Sequence, residues 1–185
     1  TGGAPLAGRR VMLPLGRDAN INWDYLNANG RLLLHRALQW GMGADLAAPP
    51  PKNLLFVSGG SVTGGDPLVT PTVQEQLRID LIESWGYGVT IIDDDDSQAN
   101  FDAAAAASDV IYVTASISGG GLADKLTDSP APIVNEFAGK LDNFGFSSNT
   151  GNTVTANLFT ATNVGHYISE PFGGAGVTQF ASNIT

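Results

Sequence analysis

The sequence contains no cysteine and few charged or histidine side chains. Of its 185 residues none is Cys and two are His, and Asp, Glu, Lys and Arg together make up 15% of the chain, against roughly 25% in an average soluble domain. The absence of Cys excludes disulfides, thiolate metal sites and a cysteine nucleophile. No apolar run approaches the roughly 20 residues of a membrane-spanning helix, so we predict no membrane span.

Basic residues are also scarce. The chain has nine Lys and Arg and eighteen Asp and Glu, so its net charge is −9. This charge argues against nucleic acid as a partner, because binding to phosphates needs a basic surface. Uncharged polar residues take the place of charges, since the chain is rich in Asn, Thr and Gly. This composition favours an extracellular or cell-surface location.

A proline-rich segment divides the chain. Three consecutive prolines lie within residues 47–52, and such a run fits neither a helix interior nor a central strand. Residues 1–48 carry a net charge of +2, whereas residues 49–185 carry −11. We therefore predict a strand–helix segment at 1–46, a linker at 47–52 and an α/β domain at 53–185.

Strands and helices alternate after the linker. Short apolar runs predict strands at 53–58, 89–92, 109–115 and 131–135. Helical patterns predict helices at 72–85, 101–107 and 122–126. This alternation is typical of right-handed crossovers in a doubly wound parallel sheet. Short β-type runs at 153–159 and 177–180 predict an irregular, β-rich C-terminal part. Before the linker we predict a strand at 10–15 and a helix at 31–40, with Asn29 as its N-cap.

Several stretches resemble a known module. They are the strand and glycine loop from residue 54, and residues 81–93, 109–116, 132–136 and 165–172. They are similar to secreted bacterial modules related to ThuA-like and class I glutamine amidotransferase-like domains. The resemblance covers roughly residues 53–180. It implies a three-layer α/β, flavodoxin-like parallel sheet.

The first part of the chain resembles the end of the same module. Residues 8–16 and 26–40 look like its last strand and last helix, which in the family follow the other elements. Either the chain is permuted and this unit folds back onto its own sheet, or the unit completes a neighbouring copy in a tandem array or polymer. The side chains that we expect to bind in either case are Arg9, Arg10, Leu33, Ala37 and Trp40.

Catalytic residues are few. The cysteine nucleophile of the amidotransferases is missing, and the corresponding region offers Ser116 or Ser118 instead. Neither serine lies in a G-x-S-x-G motif. His166 is the candidate base, and Glu136 is a candidate acid at the end of a strand, without a partner in the sequence. We therefore do not expect an enzyme.

Two further features have the composition of ligand sites. The loop that begins Gly59, Gly60, Ser61 follows a buried strand, the context of an anion site, but it matches neither a dinucleotide fingerprint nor a Walker motif. The alternative is a tight turn. Four consecutive acids offer the oxygen ligands that Ca²⁺ prefers, although a solvated acidic turn is the favoured interpretation. These acids are Asp93, Asp94, Asp95 and Asp96.

These observations favour a non-catalytic extracellular assembly module, joined into a filament or surface array by strand–helix exchange. The expected partners are identical subunits or tandem repeats, with glycans as a further candidate, and we expect no cofactor. A secreted ThuA-like hydrolase or a carbohydrate-binding module is the alternative function, by analogy of fold.

Overall fold

A five-stranded sheet, parallel throughout, lies at the centre of the protein. The computed structural model describes residues 8–13, 23, 26–43, 53–60, 69–146, 158–160, 163–172 and 176–178. The sheet strands are β1 (Arg10–Met12), β2 (Asn53–Ser58), β3 (Gly88–Asp93), β4 (Val110–Val113) and β5 (Ile133–Asn135). Their spatial order is β1–β5–β4–β2–β3. Two short strands in the C-terminal part, β6 (Leu158–Thr160) and β7 (Gly176–Thr178), form a separate antiparallel pair.

Helices cover both faces of the sheet. They are α1 (Ala28–Gly41), α2 (Val73–Ser84), α3 (Gln98–Ala106) and the single turn α4 (Gly119–Leu122), with 3₁₀ turns at Ala138–Lys140 and Glu170–Phe172. One core cluster joins α1 and α2 to one face of the sheet. A second cluster joins α3 and the region around α4 to the other face. This three-layer, flavodoxin-like arrangement confirms the predicted fold class.

The N-terminal strand lies at one edge of the sheet. β1 pairs in parallel with β5, and Val11 is the register partner of Val134. When β1 is counted as the last strand instead of the first, the strand order becomes 2-1-3-4-5, the order of flavodoxin. α1 follows β1 and packs across the neighbouring strands, where a Cβ on Gly41 would lie 3.4 Å from Val110 and 3.9 Å from Val134. In this structure the N-terminal unit of β1 and α1 therefore pairs with and packs on the sheet of its own chain.

Polar side chains fix where the helices begin. α2 has the predicted capping box, in which the Thr72 side chain accepts from the backbone of Glu75 and the Glu75 side chain accepts from the backbone of Thr72. α1 begins earlier than predicted, because Asn27 rather than Asn29 is its N-cap. The predicted Asn29 cap was wrong because the Asn27 side chain already accepts from the backbone N–H groups of Asn29 and Gly30.

Strand ends also differ, since β5 begins at Ile133 rather than residue 131 and β3 extends over Gly88–Asp93. Two further differences lie at the ends of short helices. α3 begins at Gln98, three residues before the prediction, because Ser97 provides its cap. α4 lies just before the predicted 122–126 helix, since the Ser118 hydroxyl accepts from Gly121 and holds three glycines in a turn. None of the helices in the described part of the chain is long and apolar enough to cross a membrane.

The packing of α1 leads to a stability prediction. Leu38 is fully buried in the core beneath α1, whereas Leu32 on the same helix is 39% exposed. We expect Leu38→Ala to lower the free energy of unfolding by about 2–5 kcal/mol, because it leaves a cavity in a packed core. The matched change Leu32→Ala should cost less than about 0.5 kcal/mol. Urea denaturation measures both, and equal losses would contradict the packing of this helix.

Candidate functional site

The strand order reverses between β2 and β4, and polar side chains collect at their carboxyl ends. Such a switch point is where doubly wound sheets bind ligands. Ser58 is the last residue of β2, and Thr114 and Ser116 follow β4. Glu75, in the first turn of α2, reaches into the same space. Ser58, Glu75 and Thr114 are fully buried, and Ser116 is partly exposed.

Glu75 is the centre of this polar cluster. Its Oε1 accepts hydrogen bonds from the hydroxyls of Ser116 at 2.6 Å and Ser58 at 2.8 Å, and its Oε2 accepts from the backbone of Thr72 at 2.8 Å. Burial by itself raises the pKa of this carboxyl group, but the hydrogen bonds from Ser116, Thr72 and Ser58 outweigh burial and lower it. Glu75 is therefore ionised at neutral pH.

A buried ion pair lies beside the cluster. Arg78, one helical turn after Glu75, lies 3.3 Å from the carboxylate of Glu136, and both side chains are almost fully buried. Glu136 also accepts hydrogen bonds from the Tyr112 hydroxyl and the Ala115 backbone. Burial raises the pKa of Glu136, with Arg78 opposing the shift. The Arg78 guanidinium lies 4.4 Å from the centre of the Trp23 ring, which covers it.

Close backbone contact shapes this corner of the sheet. A Cβ on Gly59 would lie 2.2 Å from the Ser116 carbonyl oxygen, so only glycine lets the two loops approach this closely. Gly59 therefore permits close approach of two loops, and it is not among the glycines with a positive φ, so the tight turn stays a prediction. Gly60 is buried and its backbone N–H donates to the Ser58 hydroxyl at 2.9 Å. Ser61, the third predicted loop residue, lies outside the described residues.

The predicted catalytic residues do not form a triad. Ser116 donates to Glu75, while the Ser118 hydroxyl accepts from Gly121. The His166 ring packs on Trp40 with 5.1 Å between ring centroids, and its Nδ1 accepts from the Ile168 backbone. In the parts of the chain that the structure describes, no hydrogen bond joins His166 to either serine. The arrangement can hold Ser116 beside a carboxylate base, but it provides no serine–histidine relay.

The four consecutive acids separate into two groups. Asp93, Asp94 and Asp95 each place one carboxylate oxygen within 4.8 Å of the others. Asp96 has a different environment, because its Oδ1 accepts from the Ser97 backbone at 2.7 Å and the Asn100 side chain at 2.7 Å. Only the first three acids can therefore share a ligand.

The side chains predicted to bind in assembly lie on the N-terminal unit. Leu33 and Ala37 are buried in the core beneath α1. Arg10 donates to the carbonyl oxygens of Ser129 at 2.8 Å and Ala131 at 2.9 Å. Two further members of the set meet at the end of α1, where the Arg9 guanidinium lies 4.7 Å from the centre of the Trp40 ring.

The sequence analysis did not identify Glu75 as the central residue of the site. The capping-box spacing correctly predicted that Glu75 lies in the first turn of α2. It did not predict that the Glu75 side chain is buried. No local signal in the sequence indicates this burial, because α2 also carries Asp80 and Glu83, and charges three residues apart are usual on the exposed surface of a helix. The partners of Glu75 and Arg78 come from β2, β4 and the loop after β5, which no local pattern links to α2.

Comparison of the chain with protein-family models, with curated proteins and with solved structures found no match.

The hydrogen bond from Ser116 to Glu75 yields a pH-dependent prediction. Ser116→Ala should lower the free energy of unfolding by about 1–3 kcal/mol at pH 7, because an ionised buried carboxylate loses a donor. The folded pKa of Glu75 is lower than its unfolded value of about 4.5, so its stabilising effect is present above that pH and is lost as the pH falls through the folded value. The decrease in unfolding free energy caused by Ser116→Ala should therefore become smaller below pH 4.5.

Denaturation at pH 7 and near pH 4 tests this expectation. Ser118→Ala is the matched control, since Ser118 lies in the same loop and its hydroxyl binds Gly121 rather than Glu75. Its effect should be the same at both pH values. A loss for Ser116→Ala that does not change with pH would show that its hydroxyl does not stabilise an ionised Glu75.

Proposed function

We propose that the protein is a non-catalytic extracellular assembly module that associates with further copies by exchange of its β1–α1 unit. The observation that carries the proposal is the construction of this unit. It forms one edge of the sheet and, together with α2, covers one face. In sequence the unit comes first, although in the flavodoxin strand order its strand is the last. An exchanged unit would form the same contacts between two copies that it forms here within one.

The contacts of the unit favour this function because they are extensive and directional. The Ile133 backbone donates to Arg9 and the Leu13 backbone donates to Asn135, both at 2.8 Å, which fixes the register of β1. On α1, Arg36 forms an ion pair with Glu170 at 3.1 Å. The apolar face of the helix adds four buried side chains to the core, those of Leu33, Leu34, Ala37 and Leu38, and Leu26 just before the helix adds a fifth.

The connection to the rest of the chain also supports exchange. Between Gly43 and Asn53 the sequence contains three consecutive prolines. Proline stiffens a connector and favours extended polyproline II geometry. Exchange of an identical element is a low-cost route to association, and head-to-tail contacts that do not close into a ring produce fibres. A connector stiffened by proline raises the cost of folding the unit back onto its own sheet, so it favours exchange with a second copy.

Introduced cysteines test the exchange, because the chain has none of its own. Val11 and Val134 are register partners on β1 and β5 and lie in the same core cluster. We expect the oxidised double variant Val11→Cys/Val134→Cys to give a ladder of covalent oligomers on a non-reducing gel. Electron microscopy and light scattering of the native chain should show fibres or long oligomers.

The control pair lies wholly within the second part of the chain. Leu54 and Val110 are register partners on β2 and β4, and both are buried in the same cluster. Leu54→Cys/Val110→Cys should therefore cross-link within one chain. If the Val11 pair also gives only cross-linked monomer, and the native chain is a single particle of 19.2 kDa, the proposal of assembly by exchange is wrong.

One observation favours the alternative function, a secreted hydrolase. Ser116 is partly exposed at the switch point, and its hydroxyl lies 2.6 Å from an ionised carboxylate. A serine beside a base is the arrangement that activates an oxygen nucleophile. The lowered pKa of Glu75 makes it a weak base, so the hydrolase remains the second candidate.

A fluorophosphonate probe tests this alternative. The Ser116 oxygen would bond to phosphorus, fluoride would leave, and the hydroxyl proton would pass to Glu75. For a hydrolase we expect one label per chain, absent in Ser116→Ala and retained in Ser118→Ala. No labelling of the folded chain would exclude an activated Ser116 and favour the non-catalytic module.

A further inference from the structure

Three carboxylates converge where β3 ends. Asp93 is the last residue of β3, and Asp94 and Asp95 follow it in a turn. One oxygen from each lies within 4.8 Å of the other two. Asp93 and Asp94 are buried, at 8% and 4% exposure, while Asp95 is exposed. The group is thus a partly enclosed set of oxygen ligands with one side open to water.

One buried oxygen in this group has no partner. Asp93 accepts from the Asp95 backbone through its Oδ1, at 2.8 Å, but its Oδ2 is buried without a hydrogen bond. A buried carboxylate oxygen without a donor is costly. This cost is removed when a cation lies against the oxygen, so the orphaned atom points to a missing ligand rather than to a solvated acidic turn.

The surrounding backbone is built to fit the carboxylates. A Cβ on Gly121 would lie 2.5 Å from Asp95 Oδ1 and 2.9 Å from Asp94 Oδ2, so only glycine leaves them this space. The Ser118 backbone donates to Asp94 and holds that carboxylate in place. The turn containing α4 therefore lies directly against the carboxylates of Asp94 and Asp95.

The nearby cation does not neutralise these acids directly. The Lys125 ammonium donates to the carbonyl oxygens of Asp94 at 2.7 Å and Gly121 at 2.6 Å, not to a carboxylate. Burial, together with Asp95 and Asp93, raises the pKa of Asp94 to about 6, although the Ser118 backbone and Lys125 oppose the shift. The three carboxylates thus repel one another across a small space.

We propose that Asp93, Asp94 and Asp95 form a binding site for a divalent cation, with Ca²⁺ as the preferred ion. Ca²⁺ binds carboxylate oxygens at about 2.3–2.6 Å and tolerates irregular geometry, so ligand oxygens on one ion lie up to about 5 Å apart. The 4.8 Å limit of this group meets that requirement. Mg²⁺ demands shorter, near-octahedral contacts, and fits three acids from one turn less well. Water completes the coordination through the exposed side at Asp95.

Titration of the full chain with Ca²⁺ after treatment with a chelator tests the site. Isothermal calorimetry should give one ion per chain, and the same Ca²⁺ concentrations should raise the melting temperature. Asp95→Asn should weaken binding by about tenfold or more, because affinity follows the number of ligand charges. Asp95 is exposed, so this variant should keep its fold, which circular dichroism checks.

Asp96→Asn is the matched control. It removes the same charge from the adjacent residue, whose carboxylate is bound to Ser97 and Asn100 outside the group. We expect its Ca²⁺ affinity to stay within about twofold of the parent chain. Binding weaker than about 10⁻³ M, the weakest class of protein Ca²⁺ sites, would overturn the proposal. So would tighter binding of Mg²⁺ than of Ca²⁺, or equal losses in the two variants.

Discussion

The fold depends on the burial of one helix against one face of the central sheet. Strands β2, β4 and β5 are buried on both faces, and α1 lies against Val110 and Val134, which would lose this cover without it. A parallel sheet needs cover on both faces, because its strands are apolar throughout. The helix that supplies this cover stands before the strands in sequence. Any function proposed for this protein must therefore explain which sheet α1 covers, that of its own chain or that of a second copy.

The polar cluster at the switch point, unlike the apolar core, is costly to bury. Glu75, Arg78 and Glu136 are all buried, and burying charge is costly unless each charge is paired and hydrogen-bonded. The structure meets much of that condition with an ion pair between Arg78 and Glu136, three hydroxyls and backbone donors, while Arg78 Nε is buried without a hydrogen bond. Such a network fixes the ends of β2, β4 and β5 relative to α2. It makes this corner a defined structural junction, whether or not it also binds a ligand.

Much of the fold could be predicted from local patterns. The strand at 53–58 was predicted with the bounds that the structure has, and the one predicted at 109–115 contains β4 at its centre, because both follow short apolar runs. The capping box at Thr72 was also confirmed, since its two members lie three residues apart. The predicted helix ends were less accurate at Asn27 and α4. Several polar residues there could accept from the same backbone N–H groups, and the packing of the turn decides which one does.

The candidate sites show the same limit. Glu136 and Ser116 could be chosen from sequence because each follows a predicted strand, but the partner of Ser116 proved to be Glu75 on a helix 41 residues away. His166 packs on Trp40 because residues 163–172 lie against α1, where Arg36 donates to the Tyr167 carbonyl and pairs with Glu170.

The sequence by itself determined the periodicity of the strands and helices, the fold class, the lack of thiol chemistry and the acidic charge. These properties follow from residue type and spacing along the chain. Only the tertiary structure decided that β1 pairs with β5, that Glu75 accepts from Ser116, and that Asp96 separates from Asp93. The reason is physical: each of these depends on distances between segments far apart in sequence or on the direction of a side chain in a turn. Neither is encoded in local spacing.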